Sequence, residues 1–198
     1  DALPIYQKVA ANVIAMDGTN WFSSFTIDKG SKEGIKKGMN VIAGSGLVGI
    51  VTDVGPNFAK VRSIIDDSSN VSSMVLTTKD NFNVGGSLKS MNQDKVLPFT
   101  ELRDENDKVK VGDPVVTSYV SDQYQEGILI GYIASIEKNA NNLTKSGTIT
   151  PVVDFQHLRE VLVITTLKDT GEKELSSQKA SDTQTETQDN TETQKSQE

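Results

Sequence analysis

The chain has 198 residues, of which 35% are hydrophobic and 24% charged, as in a globular protein with one large or two small domains. It contains no cysteine, which excludes disulfides, thiolate metal sites and cysteine nucleophiles. The formal net charge of −7 argues against a nucleic-acid partner, because phosphate backbones are bound by clustered Lys and Arg. No segment approaches the run of roughly 20 apolar residues that crosses a bilayer, so we expect any anchor to lie upstream of Asp1.

Short apolar runs follow one another along most of the chain and predict β-strands. Each run has about four to eight residues rich in Val, Ile, Phe and Thr, and is bounded by Gly, Pro, Asn or Asp. The predicted strands are Val9–Ile14, Phe22–Ile27, Val41–Ala43, Leu47–Val54, Lys60–Ile65, Val71–Leu76, Val84–Leu88, Val96–Thr100, Val115–Ser118, Ile128–Glu137, Thr148–Val153 and Val161–Thr166. A dozen short strands with almost no helical periodicity predict an all-β fold of sandwiches or small barrels.

An internal repeat relates Lys37–Val54 to Val111–Ile136. In the alignment Gly38 matches Gly112, and the central glycine of the second strand is Gly49 in one copy and Gly131 in the other. The connection between the two matched strands is longer in the second copy. The repeat predicts two small related β-barrel domains in tandem, with chance similarity between two glycine-containing hairpins as the alternative.

The two ends of the chain have a different composition. Residues 1–8 are predicted to be the end of a coiled-coil helix or a linker, although Pro4 interrupts a helix there. Residues 168–198 form an acidic segment rich in Ser, Thr and Gln, which cannot bury enough apolar surface to offset its ordering entropy. This tail is therefore predicted to be disordered.

The single histidine, His157, is the residue on which a catalytic hypothesis depends. A serine-protease triad would combine it with a carboxylate such as Asp154 and with a serine. Two tandem β-barrels are also the architecture of chymotrypsin-like proteases, in which the serine follows the histidine in the chain. Here the only serines after His157 belong to the predicted tail, and Gly44-Ser45-Gly46 is typical of a hairpin turn. We therefore predict a structural histidine and no enzyme.

The sequence predicts no metal site and no cofactor. Asp66-Asp67 and the acidic stretch Asp104–Asp107 lack the spacing of an EF-hand loop and fit acidic turns between strands. Trp21 and Phe22 fit either core anchoring, which we favour, or partner contact. Tyr119 and Tyr124, in the longer connection of the second repeat, are the candidates for contact with a partner.

The segment from Trp21 to Gly55 resembles the hallmark segment of the MreC family. Its Trp21-Phe22 strand leads into an IDKG turn, a KGM turn and a GLVG strand, and further matching segments follow in order through PVVDFQHLREVLVI. The resemblance covers about Val9 to Thr166. The residues that carry these motifs, and to which we assign a structural role, are Trp21, Phe22, Asp28, Lys29, Gly30, Gly38, Gly46, Gly49, Gly112, Asp113, Gly131, Asp154 and Phe155.

The resemblance implies a domain organisation. Members of the MreC family have a short cytoplasmic segment, one membrane-spanning helix and a coiled coil, followed by two β-barrel domains outside the membrane. Applied to this chain, residues 9–66 plus 147–167 would form the first barrel domain and residues 67–146 the second. The final strands, Thr148 to Thr166, would thus return to complete the first barrel, with the second barrel as an insertion.

The resemblance also implies a function. Family members are non-catalytic scaffolds of cell-wall elongation and cell shape, anchored at the extracytoplasmic face of the cytoplasmic membrane. They self-associate and link MreD, and MreB where present, to penicillin-binding transpeptidases and other peptidoglycan-synthesis proteins. Their recognition of partners would use sheet edges, apolar grooves and loops. The alternatives are a divergent two-barrel serine protease and a periplasmic adaptor of an export system.

Overall fold

A computed structural model describes residues 5–18 and 21–169 of the chain. The predicted tail from residue 170 and the first four residues of the predicted coiled-coil end lie outside these residues. Within them, residues 5–7 have no regular secondary structure and the first strand begins at Lys8, so the described part of the N-terminal segment is not helical.

Twelve strands, one α-helix and one 3₁₀ turn make up the described chain, which confirms the predicted all-β class. The strands are β1 (Lys8–Met16), β2 (Ser24–Ile27), β3 (Asn40–Ala43), β4 (Gly46–Val54), β5 (Ala59–Ser63), β6 (Asn70–Val75), β7 (Asn81–Gly85), β8 (Leu97–Leu102), β9 (Pro114–Thr117), β10 (Leu129–Lys138), β11 (Lys145–Pro151) and β12 (Glu160–Ile164). The 3₁₀ turn is Ser31–Glu33 and the helix α1 is Leu88–Asp94. None of these helical segments is long and apolar enough to cross a membrane.

The helix α1 is not predicted by the sequence, in which Val84 to Leu88 resembles a strand. The strand β7 ends at Gly85, and the Ser87 side chain then accepts a hydrogen bond from the Ser90 N–H at 3.1 Å. This is the N-cap arrangement that starts a helix. The helix is short and buries only Met91, which explains why no helical periodicity is visible.

Hydrogen bonding arranges the strands in two closed rings of six. The first ring runs β4-β3-β12-β1-β2-β5 and closes through the β4–β5 pairing, and we call it ring 1. The other runs β11-β8-β7-β6-β9-β10 and closes through the β10–β11 pairing, and we call it ring 2. All twelve described strands therefore have a partner on both sides. This leaves no free sheet edge among them, contrary to the expectation that sheet edges recruit partners.

The pairing of β11 differs from the predicted domain boundary. The boundary at residue 147 assigns β11 to the first barrel, whereas β11 pairs with β8 and β10 in ring 2. Only β12 pairs with β1 and β3 of ring 1. The assignment of residues 147–151 is therefore corrected, and the division of the chain into two domains stays a prediction.

The interior of both rings is filled by residues that alternate along the strands. On β5, Ala59, Val61 and Ser63 point inward and are fully buried, while Lys60 is exposed. Alternation of this kind follows from the two-residue period of a strand. The largest side chains that are fully enclosed include Phe25 in ring 1 and Phe99 in ring 2.

Candidate functional site

The histidine and the carboxylate of the catalytic hypothesis do lie together. His157 Nδ1 is 2.8 Å from Asp154 Oδ2, and both side chains are exposed, at 77% and 66%. The hydrogen bond with His157, followed by that from the Gln156 N–H, holds the pKa of Asp154 below its ordinary value despite some desolvation. In the described part of the chain no serine hydroxyl donates a hydrogen bond to His157. The pair caps a turn and lacks the nucleophile that a triad requires.

The acidic stretch at residues 104–107 forms an ion-paired turn. Asp104 accepts hydrogen bonds from the backbone N–H groups of Lys108, at 2.8 Å, and Val109, at 3.0 Å, and its carboxylate contacts Lys145 Nζ at 2.6 Å. Lys145 Nζ also lies 2.6 Å from Asp107. Within residues 5–18 and 21–169 no group of three or more His, Cys, Asp or Glu side chains could hold a metal ion. The cation that pairs with the acidic turn is therefore the Lys145 ammonium of the same chain.

The aromatic pair Trp21-Phe22 lies just before β2 of ring 1. Trp21 is 8% exposed, and the Lys95 ammonium lies 5.7 Å from the centre of its ring. Phe22 packs edge-on against Phe25, with ring centroids 6.2 Å apart. The backbone N–H of Phe22 donates to the carbonyl of Phe155, which is itself 1% exposed. This geometry supports core anchoring for Trp21, Phe22 and Phe155.

The turn motifs of the sequence also make internal contacts. Asp28 accepts hydrogen bonds from the backbone and side-chain amides of Asn12, at 2.8 and 2.9 Å, and Lys29 lies 3.6 Å from its carboxylate. The Gly30 N–H donates to Glu33 at 2.8 Å. In ring 2 the Asp113 carboxylate accepts the Lys110 N–H at 2.9 Å. These side chains and backbone groups stabilise turns.

Two glycines sit where strands approach each other too closely for a side chain. A Cβ built on Gly49 would lie 2.0 Å from the carbonyl oxygen of Arg62, and one on Gly131 would lie 2.0 Å from that of Thr150. Gly46 is similarly crowded, by the Val152 and Val153 side chains. The glycines of the GLVG and LIGY strands are thus required by strand packing, as the repeat predicts.

The connection between β9 and β10, residues 118–128, is a clamp between the rings. The Asn40 side chain of β3 donates to the Gln123 carbonyl at 2.9 Å and accepts the Gln125 N–H at 2.7 Å. The Gln125 side chain in turn donates to the Thr166 carbonyl at 2.9 Å. These three hydrogen bonds hold the connection against ring 1, and we call it the clamp loop.

The two tyrosines of the clamp loop have different surroundings. Tyr124 is 2% exposed, and burial raises its pKa to about 12 although the Arg62 charge acts in the opposite direction. Its side chain has no surface left for a partner, which removes Tyr124 from the predicted contact residues. Tyr119 and its neighbour Val120 are 54% and 58% exposed. Partner contact by Tyr119 stays a prediction.

The structure shows an exposed aromatic residue on the sheet that the sequence analysis missed. Tyr132 on β10 is 44% exposed and lies opposite Pro114 on one side and Thr150 on the other. Val111, before β9, and Val152, after β11, are also exposed, at 62% and 37%. We call the row of Pro114, Tyr132 and Thr150 the Tyr132 face. The repeat contained the signal, because Tyr132 aligns with Ile50, and an aromatic replaces an aliphatic residue there.

The corresponding row of ring 1 is covered. By register, Asn40, Ile50 and Arg62 occupy the positions of Pro114, Tyr132 and Thr150. Ile50 is only 7% exposed, Asn40 is hydrogen-bonded to the clamp loop, and the Arg62 charge acts on Tyr124 of that loop. Equivalent positions are thus closed by the clamp loop in ring 1 and open in ring 2.

Comparison with known proteins agrees with the predicted family. The model of the family described as "Rod shape-determining protein MreC, barrel core" matches residues 13–165. The chain belongs to the MreC family. Among curated MreC proteins, that of Listeria monocytogenes is 33% identical over 166 residues, covering 83% of this chain and 55% of the relative. The Bacillus subtilis cell shape-determining protein MreC is 29% identical, with 80% and 57% covered. The chain therefore spans about half the length of these relatives.

Solved MreC structures share the fold. MreC of Listeria monocytogenes superposes with a TM-score of 0.72 at 32% identity, covering 86% of this chain and 81% of that one. MreC of Pseudomonas aeruginosa gives 0.70 at 22% identity, with 80% and 99% covered. A complex between the penicillin-binding protein PBP2 and MreC of Helicobacter pylori contains a further match, at a TM-score of 0.59 and 12% identity, with 81% and 100% covered.

Proposed function

We propose that this chain is a non-catalytic scaffold of cell-wall elongation and cell shape, which recruits penicillin-binding transpeptidases at the outer face of the cytoplasmic membrane. Family membership is the observation that carries the proposal, since family relatives are described as cell shape-determining proteins. The solved complex of PBP2 with MreC of Helicobacter pylori supports a penicillin-binding protein as the partner class. A relative described as a periplasmic domain of a cell shape-determining filament supports the location and self-association. Contact with MreD remains part of this proposal.

The recognition surface that fits this function is an open sheet face. Because both rings are closed, a partner strand has no free edge to join among the described strands. The Tyr132 face offers an exposed aromatic ring between Pro114 and Thr150, and large aromatic side chains are enriched among the residues that dominate binding energy. We assign the transpeptidase contact to this face.

Binding of a purified penicillin-binding transpeptidase from the same bacterium to residues 1–198 tests the proposal. The affinity of the wild type is compared with that of Tyr132→Ala by biolayer interferometry. We expect the substitution to weaken binding about tenfold or more, as for the loss of an interfacial aromatic anchor. The affinity of Tyr119→Ala in the same assay shows whether Tyr119, the contact residue predicted from the sequence, contributes to binding.

Leu143→Ala is the matched control, because Leu143 is 79% exposed at a hairpin tip outside the Tyr132 face. It should leave the affinity unchanged. Failure of the wild type to bind any of the bacterium's transpeptidases would contradict recruitment by this part of the chain. Equal binding of the wild type and Tyr132→Ala would contradict only the assigned face. Sedimentation equilibrium of the wild type tests self-association separately.

A further inference from the structure

Ring 1 takes one strand from the far end of the chain, whereas the six strands of ring 2 follow one another in sequence. Ring 1 contains β1 to β5 together with β12, and ring 2 contains β7 to β11 together with β6. If the chain is divided into unit A, β1 to β6, and unit B, β7 to β12, each ring has five strands of one unit and the sixth strand of the other. In both rings the sixth strand lies between the first and third strands of the unit that receives it.

The hydrogen-bond register of the two units is the same, including its irregularities. The ladder β3–β4 of unit A and the ladder β9–β10 of unit B each skip one residue at the same place. The equivalent pairs are Val41↔Gly49 with Val115↔Gly131, and Ile42↔Leu47 with Val116↔Leu129. Bulges are specific local features, so coincident bulges indicate two copies of one structure.

The segments that cross between the rings are equivalent as well. In the first crossing, the Ile64 N–H donates to the Val48 carbonyl at 2.9 Å, and in the second the Val152 N–H donates to the Ile130 carbonyl at 3.1 Å. Two residues further on, each crossing has an aspartate whose Oδ1 accepts a backbone N–H. These bonds are Ser68 N–H to Asp66 at 2.9 Å and Gln156 N–H to Asp154 at 3.0 Å.

The equivalence continues without insertion or deletion into the sixth strands. Met74 of β6 lies opposite Val116 of β9, and Leu162 of β12 lies opposite Ile42 of β3. Counting from the aspartate of each crossing, Met74 and Leu162 are at the same position. A barrel inserted into an unrelated ring would give no reason for the outgoing and returning segments to match through the crossing.

We propose that units A and B are two copies of one six-stranded fold that have exchanged their sixth strands reciprocally. The arrangement is that of a strand-swapped homodimer whose two subunits are joined in one chain. It follows that the backbone of β6 fits the place of β12 in ring 1, and that the backbone of β12 fits the place of β6 in ring 2. The inference concerns the barrel architecture and does not depend on the proposed transpeptidase partner.

Two features of unit B, which have no equivalent among the described residues of unit A, hold the strands in the exchanged arrangement. The helix α1 and the residue that follows it contact both crossings, because the Leu88 N–H donates to Asp67 at 2.8 Å and Lys95 Nζ donates to Gln156 at 3.3 Å. The clamp loop adds its hydrogen bonds to Asn40. An unexchanged isomer, with β6 in ring 1 and β12 in ring 2, would lose these contacts. We therefore expect it only when a covalent bond traps it.

A cysteine pair can trap the unexchanged isomer in the full chain, which has no native cysteine. In the native structure Ala10 lies opposite Leu162, and Met74 lies opposite Asn81 of the other ring. In the unexchanged isomer Ala10 would lie opposite Met74. The variant Ala10→Cys/Met74→Cys is unfolded in urea, refolded in a glutathione redox buffer, and analysed for its disulfide by peptide mass spectrometry and for its fold by circular dichroism.

The matched control is Ala10→Cys/Ser73→Cys, in which the second cysteine is displaced by one residue. In the unfolded chain the two pairs close loops of nearly equal length, so random oxidation gives equal yields. In a strand a displacement of one residue turns the side chain to the opposite face, so the control pair cannot form within the isomer. We expect about tenfold more 10–74 than 10–73 disulfide, with the linked chain retaining a cooperative unfolding transition.

Equal yields of the two disulfides, or a 10–74 disulfide found only in chains without cooperative structure, would overturn the proposal. The variant Ala10→Cys/Leu162→Cys shows whether the substitution of Ala10 is tolerated, since its disulfide joins native neighbours and forms without unfolding. The reciprocal pair Asn81→Cys/Leu162→Cys makes the same test in ring 2. If the substitution Met74→Cys by itself prevents refolding, the yield of the 81–162 disulfide decides whether the unexchanged isomer forms.

Discussion

Replacing Lys145 by methionine should destabilise the folded chain through the carboxylate it leaves behind. The side chains of Asp104 and Lys145 are 1% and 11% exposed, and their charged atoms are 2.6 Å apart. Methionine preserves most of the aliphatic volume but leaves Asp104 with two backbone N–H groups as its only donors. Removing one partner of a buried ion pair costs about 3 kcal/mol or more. For a folded region of this size, that lowers Tm by about 6 to 12 °C.

The pH dependence follows from the two pKa shifts. Burial raises the pKa of Asp104, but hydrogen bonds from Lys145 and from backbone N–H groups together lower it below its ordinary value of 3.8. Its stabilising contribution is therefore present above that value and is lost as the pH falls through the folded-state pKa. Burial lowers the pKa of Lys145, and its two carboxylate partners raise it above 10.5. Its contribution is present below 10.5 and is lost as the pH rises through the folded-state pKa.

Thermal and urea unfolding followed by circular dichroism measure both effects. The wild type should exceed Lys145→Met in stability by a constant amount from about pH 5 to 9, and the difference should shrink below pH 3.8. Asp104→Asn and the double variant complete a cycle, with an expected coupling of at least about 1 kcal/mol. Lys138→Met is the control, since Lys138 and Asp107 form an exposed pair, and its Tm should not change. A Tm of Lys145→Met equal to that of the wild type, or additive effects in the cycle, would refute the reasoning.

Two further predictions concern the packing of the strands and of the clamp loop. Gly49→Ala and Gly131→Ala should each destabilise the fold by about 3 kcal/mol or more, because the new methyl group meets a backbone carbonyl oxygen at 2.0 Å. The urea unfolding midpoints of these variants measure the loss of stability. Gly85→Ala is the control that should be tolerated, because the nearest neighbours of a Cβ at Gly85 are 3.9 Å away. A Gly49→Ala midpoint equal to that of the control would contradict the close approach at Gly49. Asn40→Ala should cost about 1 to 3 kcal/mol and speed amide hydrogen exchange at Gln125, which loses its acceptor. Unchanged exchange there would show that other contacts hold the clamp loop.

Local sequence patterns determined the class of this fold. Alternating and continuous apolar runs placed eleven of the twelve strands, because side chains on a strand alternate between an interior and a solvent face; the run Val84–Leu88 overlaps β7 only at residues 84–85. The matched glycines predicted the close approaches at Gly49 and Gly131, since only glycine leaves room for a neighbouring carbonyl there. The motif residues identified the family, and the contacts of Trp21 and Phe155 explain those motifs by packing.

Only the tertiary structure decided which strands pair and which faces remain open. The separation of β11 from β12 depends on hydrogen bonds between segments far apart in the chain, and the apolar pattern of a strand does not specify its partner. The burial of Tyr124 likewise depends on the contact of the clamp loop with Asn40 of the other ring. The sequence placed Tyr124 in a connection between strands, and the exposure expected from that position was wrong. The Tyr132 face is open for the complementary reason, because the connection of ring 1 that is equivalent to the clamp loop, between β3 and β4, has only residues 44 and 45. Sequence thus determined the strands and their family, while long-range pairing decided the two rings and the surface they present.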